Sequence, residues 1–201
     1  FNISVQIPDV WMELLEPELM EEPTHRYGTW REICKSAWKT GDPGVVFIDR
    51  VHETQPTMEY GLIQSSNPCG EEFLEPYGNC CLGSINLANF VTVGRKELHW
   101  QRLSQVIRTA VRFLDDVIEV NWFPVDRLRE VNLATRRIGL GVMGWADVLA
   151  KFNVAYDSED AIRWGGQVAQ RFTSIAWDES MQLASERGPF PLWETSELRM
   201  R

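Results

Sequence analysis

The chain is short of positive charge. Lys and Arg number 20 against 29 Asp and Glu, a net charge of −9 over 201 residues. Binding a nucleic-acid polymer wants a basic face, so that class of partner is argued against. A small nucleotide stays open, because a local pocket can oppose the global sign. No apolar run approaches the roughly 20 residues of a membrane-spanning helix. The opening FNISVQIPDVW has neither the basic nor the long apolar region of a signal peptide. Internal repeats, low-complexity tracts and linkers are lacking as well. Cysteine is scarce: Cys34 stands alone, and Cys69, Cys80 and Cys81 cluster. A secreted disulfide scaffold is shorter and richer in cysteine. A structural zinc site wants C-x2-C pairs, and these spacings offer none. What remains is core thiols, or redox and catalytic thiols, in a reducing compartment such as the cytoplasm.

What is present is ordinary for a soluble globular protein: 44% hydrophobic and 24% charged residues, enough for one good core. Nine Trp is a high count and points to large buried surfaces or interfaces. Residues 1–7 alternate as a strand, and Pro8-Asp9 opens a short amphipathic helix to about Met20. Residues 21–28 read as polar loop. A helix over 29–40 puts Trp30, Ile33, Cys34, Ala37 and Trp38 on one face, which makes Cys34 a core thiol. A turn at 41–44 leads into a short buried strand, 45–49, of the parallel-sheet kind. Residues 50–63 read mostly as loop, and 84–91 as strand or early helix. The clearest helix spans 97–121, where Leu103, Val106, Ile107, Ala110, Val111, Leu114, Val117 and Ile118 follow the helical period. Helices are also predicted over 125–135, over 145–152 and over 158–187, the last with Ser158 as N-cap and Gly188-Pro189 as stop. Gly165-Gly166 predicts a kink or a close helix contact in it. Strands alternating with helices predict an α/β fold.

The chemistry concentrates in 64-QSSNPCGEEFLEPYGNCCLGSINLANFV-91. Asn67, Cys69 and Glu71 are spaced i, i+2, i+4, and in an extended chain such side chains leave one face. Pro68 pushes Asn67 toward extended geometry, and Gly70 lets the backbone turn or approach a ligand. An amide, a thiol and a carboxylate could thus meet one small target: the amide bonds a hydroxyl, the carboxylate takes its proton, and the sulfur acts on a neighbouring atom. Cys80 could fold back to the same place from beyond the EPYG turn. Against this stands plain packing, since a lone cysteine is more often inert core.

The wider context weighs toward chemistry. FNIS at the start, GDPGVVFIDR at 41–50, NPCGE at 67–71, LGSINLANFV at 82–91, TRRIGLGVMGWADVL at 135–149 and ERGPFP at 186–191 resemble, in order, blocks of the ribonucleotide reductases. N-P-C-G-E resembles most the adenosylcobalamin-dependent, class II, branch. The resemblance implies that residues 1–201 form the central portion of a ten-stranded α/β barrel, with a finger loop carrying the active-site cysteine. It implies that Cys69 is the thiyl-radical cysteine that takes the ribose 3′-hydrogen. Glu71 would accept the 3′-hydroxyl proton, and Asn67 would bond the sugar hydroxyls. Cys80 would be one thiol of the redox pair, its partner lying upstream of Phe1. The implied substrate is a ribonucleoside di- or triphosphate, the cofactor adenosylcobalamin, and the reductant thioredoxin-like. The remaining parts would reside on another polypeptide, and a homodimer is left open. Cys81 stands where the family more commonly has a non-thiol residue and reads as packing; vicinal cysteines pair poorly.

Three rivals stand beside this reading. One is a class I large subunit, its radical delivered by a metal-containing partner. Another is a non-catalytic fragment serving assembly. The third is an NAD-dependent oxidoreductase built on GLGVMG (139–144), which matches G-x-G-x-x-G. Polar TRR precedes that motif where a clean strand is needed, so it reads as backbone crowding. His25, His52 and His99 read as solvated, the acids at 16, 18, 21 and 22 as a solvated face, and no residue as a metal ligand.

Overall fold

The computed structural model describes residues 3–13, 25–92 and 94–200. The chain divides into two compact units, Phe1–Pro76 with Thr195–Arg201, and Tyr77–Glu194.

In the first unit, β1 (Ser4–Ile7) begins the predicted alternation, and only its inward Ile7 is buried. Helix α1 (Asp9–Glu13) follows, and the Asp9 N–H donates to Asp49 Oδ2 at 2.7 Å. The predicted continuation to Met20 lies outside the described residues. Helix α2 (His25–Thr40) starts earlier than the expected polar loop allowed. Its stripe is half-buried Trp30, Ile33 and Ala37; Cys34 is exposed and Trp38 is 87% exposed. The core-thiol expectation for Cys34 is therefore corrected. Each helical step turns about 100°, which carries positions 34 and 38 past the edge of the stripe. Strand β2 (Gly44–Phe47) pairs parallel with β1, from Ser4↔Gly44 to Ile7↔Phe47. The parallel strand was expected, but it is only half-buried and ends before Ile48. There α3 (Ile48–Thr54) begins, where loop was expected. Seven residues are too few for a period to show; an Arg50–Glu53 pair one turn apart supports the helix. Strands β3 (Ser65–Ser66) and β4 (Phe73–Leu74) then form an antiparallel hairpin around the cysteine.

In the second unit, β5 (Cys81–Asn86) pairs parallel with β6 (Ile138–Met143), from Cys81↔Ile138 to Asn86↔Met143. Between them run a 3₁₀ turn (Leu87–Phe90), α4 (Trp100–Val120) and α5 (Asp126–Thr135). Then come α6 (Trp145–Phe152) and α7 (Glu159–Arg187). The strongest periodicity falls on α4, which buries Leu103, Ile107, Val111, Leu114 and Ile118. Of these, Leu103 and Ile107 join Ile85, Leu87, Phe90, Val148, Phe152, Val168 and Phe172 in one core. Ser158 caps α7 by accepting from the Ala161 N–H at 3.2 Å. α7 runs unbroken through Gly165-Gly166, so the expected kink is not formed; a Cβ at Gly165 would lie in ordinary contact, 3.7 Å from the Trp145 ring. None of the nine Trp is fully buried, and Trp38 and Trp122 are among the most exposed side chains.

GLGVMG occupies β6 itself, with Gly144 as N-cap of α6 at φ +71°. A Cβ at Gly144 would collide with Asn86 Oδ1, whose partner is the Ala88 N–H. The glycine spacing thus serves strand packing, and the strand–turn–helix phosphate cradle of a dinucleotide site is not formed.

Candidate active site

Asn67, Cys69 and Glu71 come together in the β3–β4 hairpin, but not by the extended geometry expected. Residues 68–71 turn. Asn67 causes this: its Oδ1 accepts from the Gly70 N–H at 3.1 Å and the Glu72 N–H at 3.0 Å, and its own N–H donates to Glu72 O at 3.0 Å. Gly70, at φ +81°, adopts the left-handed backbone this closure needs. Cys69 lies at the tip with its thiol exposed, and Glu71 is exposed beside it. The oxygen end of the Asn67 amide is thus engaged in the turn, and the Nδ2 end remains as a donor group.

The base of the hairpin opens on a cavity of about 400 Å³, whose lining includes Ser4, Gln6, Val46, Ile63, Ser66 and Asn67 and extends to Pro68. Three side chains suspend the segment that leads into the hairpin. Gln55 Nε2 donates to Gly61 O at 2.7 Å, and Gln6 Nε2 to Gln64 O at 2.7 Å. His52 Nε2 lies 3.4 Å from Ile63 O. His52 is half-buried there, which corrects its expected solvation. The Gln64 N–H in turn reaches across the hairpin to Leu74 O at 3.1 Å.

Cys80 stands in the other unit, half-buried at the start of β5, with its Sγ donating to Cys81 O at 3.8 Å. Burial raises the pKa of the Cys81 thiol. The residue the sequence reading missed is Asn132. It is buried on α5, its Oδ1 accepting from the Asn79 N–H at 3.2 Å and its Nδ2 donating to Leu128 O at 2.6 Å and Tyr77 O at 3.5 Å. Its signal was available: Leu128, Val131, Asn132 and Thr135 share one helical face, and an amide in an inward stripe asks for a partner. Among the described residues, no cluster of three or more His, Cys, Asp or Glu could hold a metal ion.

Comparison with known proteins covers nearly the whole chain. The family model described as "Ribonucleotide reductase, barrel domain" matches residues 26–200. The chain belongs to the ribonucleotide reductase barrel family. It is 42% identical to the vitamin B12-dependent ribonucleoside-diphosphate reductase of Thermoplasma acidophilum over 98% of this chain and 27% of that protein. The like-named Mycobacterium tuberculosis protein is 42% identical over 98% of this chain and 30% of its own length. The ribonucleoside-diphosphate reductase subunit alpha of Chlamydia trachomatis is 35% identical over 84% of this chain and 16% of its own. The chain thus spans less than a third of the length of these relatives.

Proposed function

We propose that this chain is the cysteine-hairpin portion of a catalytic barrel that reduces ribonucleotides to 2′-deoxyribonucleotides, in the vitamin B12-dependent branch. The observation that carries the reading is N-P-C-G-E at the tip of the hairpin, in a chain 42% identical over 98% of its length to reductases named for that vitamin. The ten-stranded barrel and the finger loop belong to this proposal; the β1–β2 and β5–β6 pairs are the parts of such a barrel that this chain would supply, and the hairpin is its finger.

Each residue then has a task. Cys69, as a thiyl radical, takes the 3′-hydrogen of the ribose and returns it at the end, because S–H and C–H bonds are close enough in strength for transfer both ways. Glu71 accepts the 3′-hydroxyl proton as the sugar radical forms. The Asn67 Nδ2 donates to a sugar hydroxyl while Oδ1 holds the turn. The 2′ C–O bond breaks and its oxygen leaves as water. Two thiols supply two electrons and two protons and close to a disulfide: Cys80 and a second cysteine on a segment outside this chain. A thioredoxin-like dithiol then reopens that disulfide. Adenosylcobalamin, when bound, supplies the radical chemistry that the side chains lack. The exposed Cys69 thiol fits a bulky cofactor that must come within reach of the sulfur. The substrate is a ribonucleoside diphosphate or triphosphate. A reducing compartment, the cytoplasm, suits four thiols, and among the described residues no helix is long and apolar enough to cross a membrane.

Cys69→Ser in the reconstituted enzyme tests the reading. Turnover should vanish with nucleotide binding kept, since only the hydrogen-abstracting atom changes. Turnover retained by that variant would end the proposal. Dependence on added adenosylcobalamin, without a second radical-generating subunit, separates this branch from class I.

A further inference from the structure

We propose that Asn132 is a positioning residue for the reductant thiol Cys80. The proposal rests on the reading of Cys80 given above and adds to it the part that aims the sulfur. Two observations converge. The Asn132 amide bridges the segment just before Cys80 from both ends: it accepts from the Asn79 N–H at 3.2 Å and donates to Tyr77 O at 3.5 Å. Tyr77 itself sits at φ +65°, a left-handed backbone that a tyrosine adopts at a cost. Such a conformation persists only where neighbours hold it, and the amide spanning residues 77 and 79 is that hold.

The clamp is anchored deeply. Asn132 is 3% exposed, between Val131 at 0% and Thr135 at 8% on the same helix face. Its Nδ2 also bonds Leu128 O one turn back at 2.6 Å, which fixes the amide's orientation. The clamped segment ends one residue before Cys80, so the direction of the Cα–Cβ bond of Cys80 follows from it. Cys80 then enters β5, whose ladder to β6 starts at Cys81↔Ile138. The cysteine is therefore held between a side-chain clamp on one side and a strand ladder on the other. A dithiol that must close and reopen at each turnover needs this placement, because a disulfide tolerates little error in distance or angle.

Two measurements test it. In the 201-residue chain with Cys34, Cys69 and Cys81 replaced by Ser, iodoacetamide reads the access of Cys80 alone. Asn132→Leu, close in size but with no hydrogen bonds, should speed alkylation about tenfold. In the reconstituted reductase the same substitution should lower kcat about tenfold or more with the nucleotide KM unchanged, because the misplaced group is not the one that binds substrate. In a Tyr77→Gly background, where the left-handed backbone is no longer strained, the effect of Asn132→Leu should shrink. Should Asn132→Leu fail to fold, Asn132→Asp carries the test. It keeps an oxygen for the Asn79 N–H and loses both donors, and about threefold faster alkylation is expected. Alkylation and kcat both within twofold of wild type in the folded variant would overturn the proposal. Full turnover by Cys80→Ser would overturn the reading of Cys80 instead, which separates the two failures.

Discussion

Asn67 carries an amide with two ends, and the hairpin occupies one of them. Its oxygen takes two backbone N–H groups, at Gly70 and Glu72, so the residue shapes the turn that presents Cys69. The nitrogen end is what the proposed chemistry uses. Substitution can separate these tasks. Asn67→Asp keeps an acceptor for both N–H groups and loses the donor, so the hairpin should persist while turnover falls. Asn67→Leu loses both, and amide hydrogen exchange at Gly70 and Glu72 should also speed up by about tenfold. Equal exchange rates in the two variants would show that the side chain does not hold the turn. The sequence named Asn67, Cys69, Glu71 and Cys80 from residue type and order alone. It had no access to Asn67's bonds, because an extended chain and a closed turn are both compatible with N-P-C-G-E.

At the scale of elements, α4 and α7 lie side by side with a constant offset along the chain. Arg108 reaches Asp178 and Glu179, Arg112 reaches Glu179 and Glu186, and Arg187 reaches Asp115 and Asp116. Arg171 stacks over the Trp100 ring at 4.4 Å in the same register. Both indices rise together, so the helices run parallel. The Arg112 hydrogen bond, helped by Gln182, holds the Glu186 carboxyl at about 2, below its ordinary 4.5. Between those values the unfolded chain binds a proton that the folded chain does not. The contribution of the pair is therefore full above about pH 4.5 and fades as acid takes the pH down toward 2. Wild type should lose more stability than Glu186→Gln across that window, read as urea midpoints at stepped pH. The difference is small, since both side chains are over a third exposed. Parallel acid limbs for the two proteins would contradict the assignment. The apolar half of this interface was legible, because α4 repeats at the helical period. The charged half was not, because partners some seventy positions apart leave no periodic trace.

For the whole molecule, the shared length with its relatives sets the expectation. A chain covering 27–30% of the B12-dependent reductases it resembles holds the thiol hairpin and one proposed redox cysteine. We expect the purified 201-residue chain to form no deoxynucleotide by itself and to support turnover once the remaining segments are supplied, as read by chromatography of the nucleotide products. Product from the chain alone would contradict this. The sequence by itself determined the α/β pattern, the helix that organises the larger core, and the family. Those follow from periodicity and from motifs in order, which are local and written in the chain. Only the tertiary structure decided that Cys34 faces outward, that Asn67 closes the turn beneath Cys69, and that a buried amide on α5 clamps the backbone before Cys80. Each of these depends on which distant group a side chain meets, and a polar atom's partner is chosen by the packed fold and not by its neighbours in sequence.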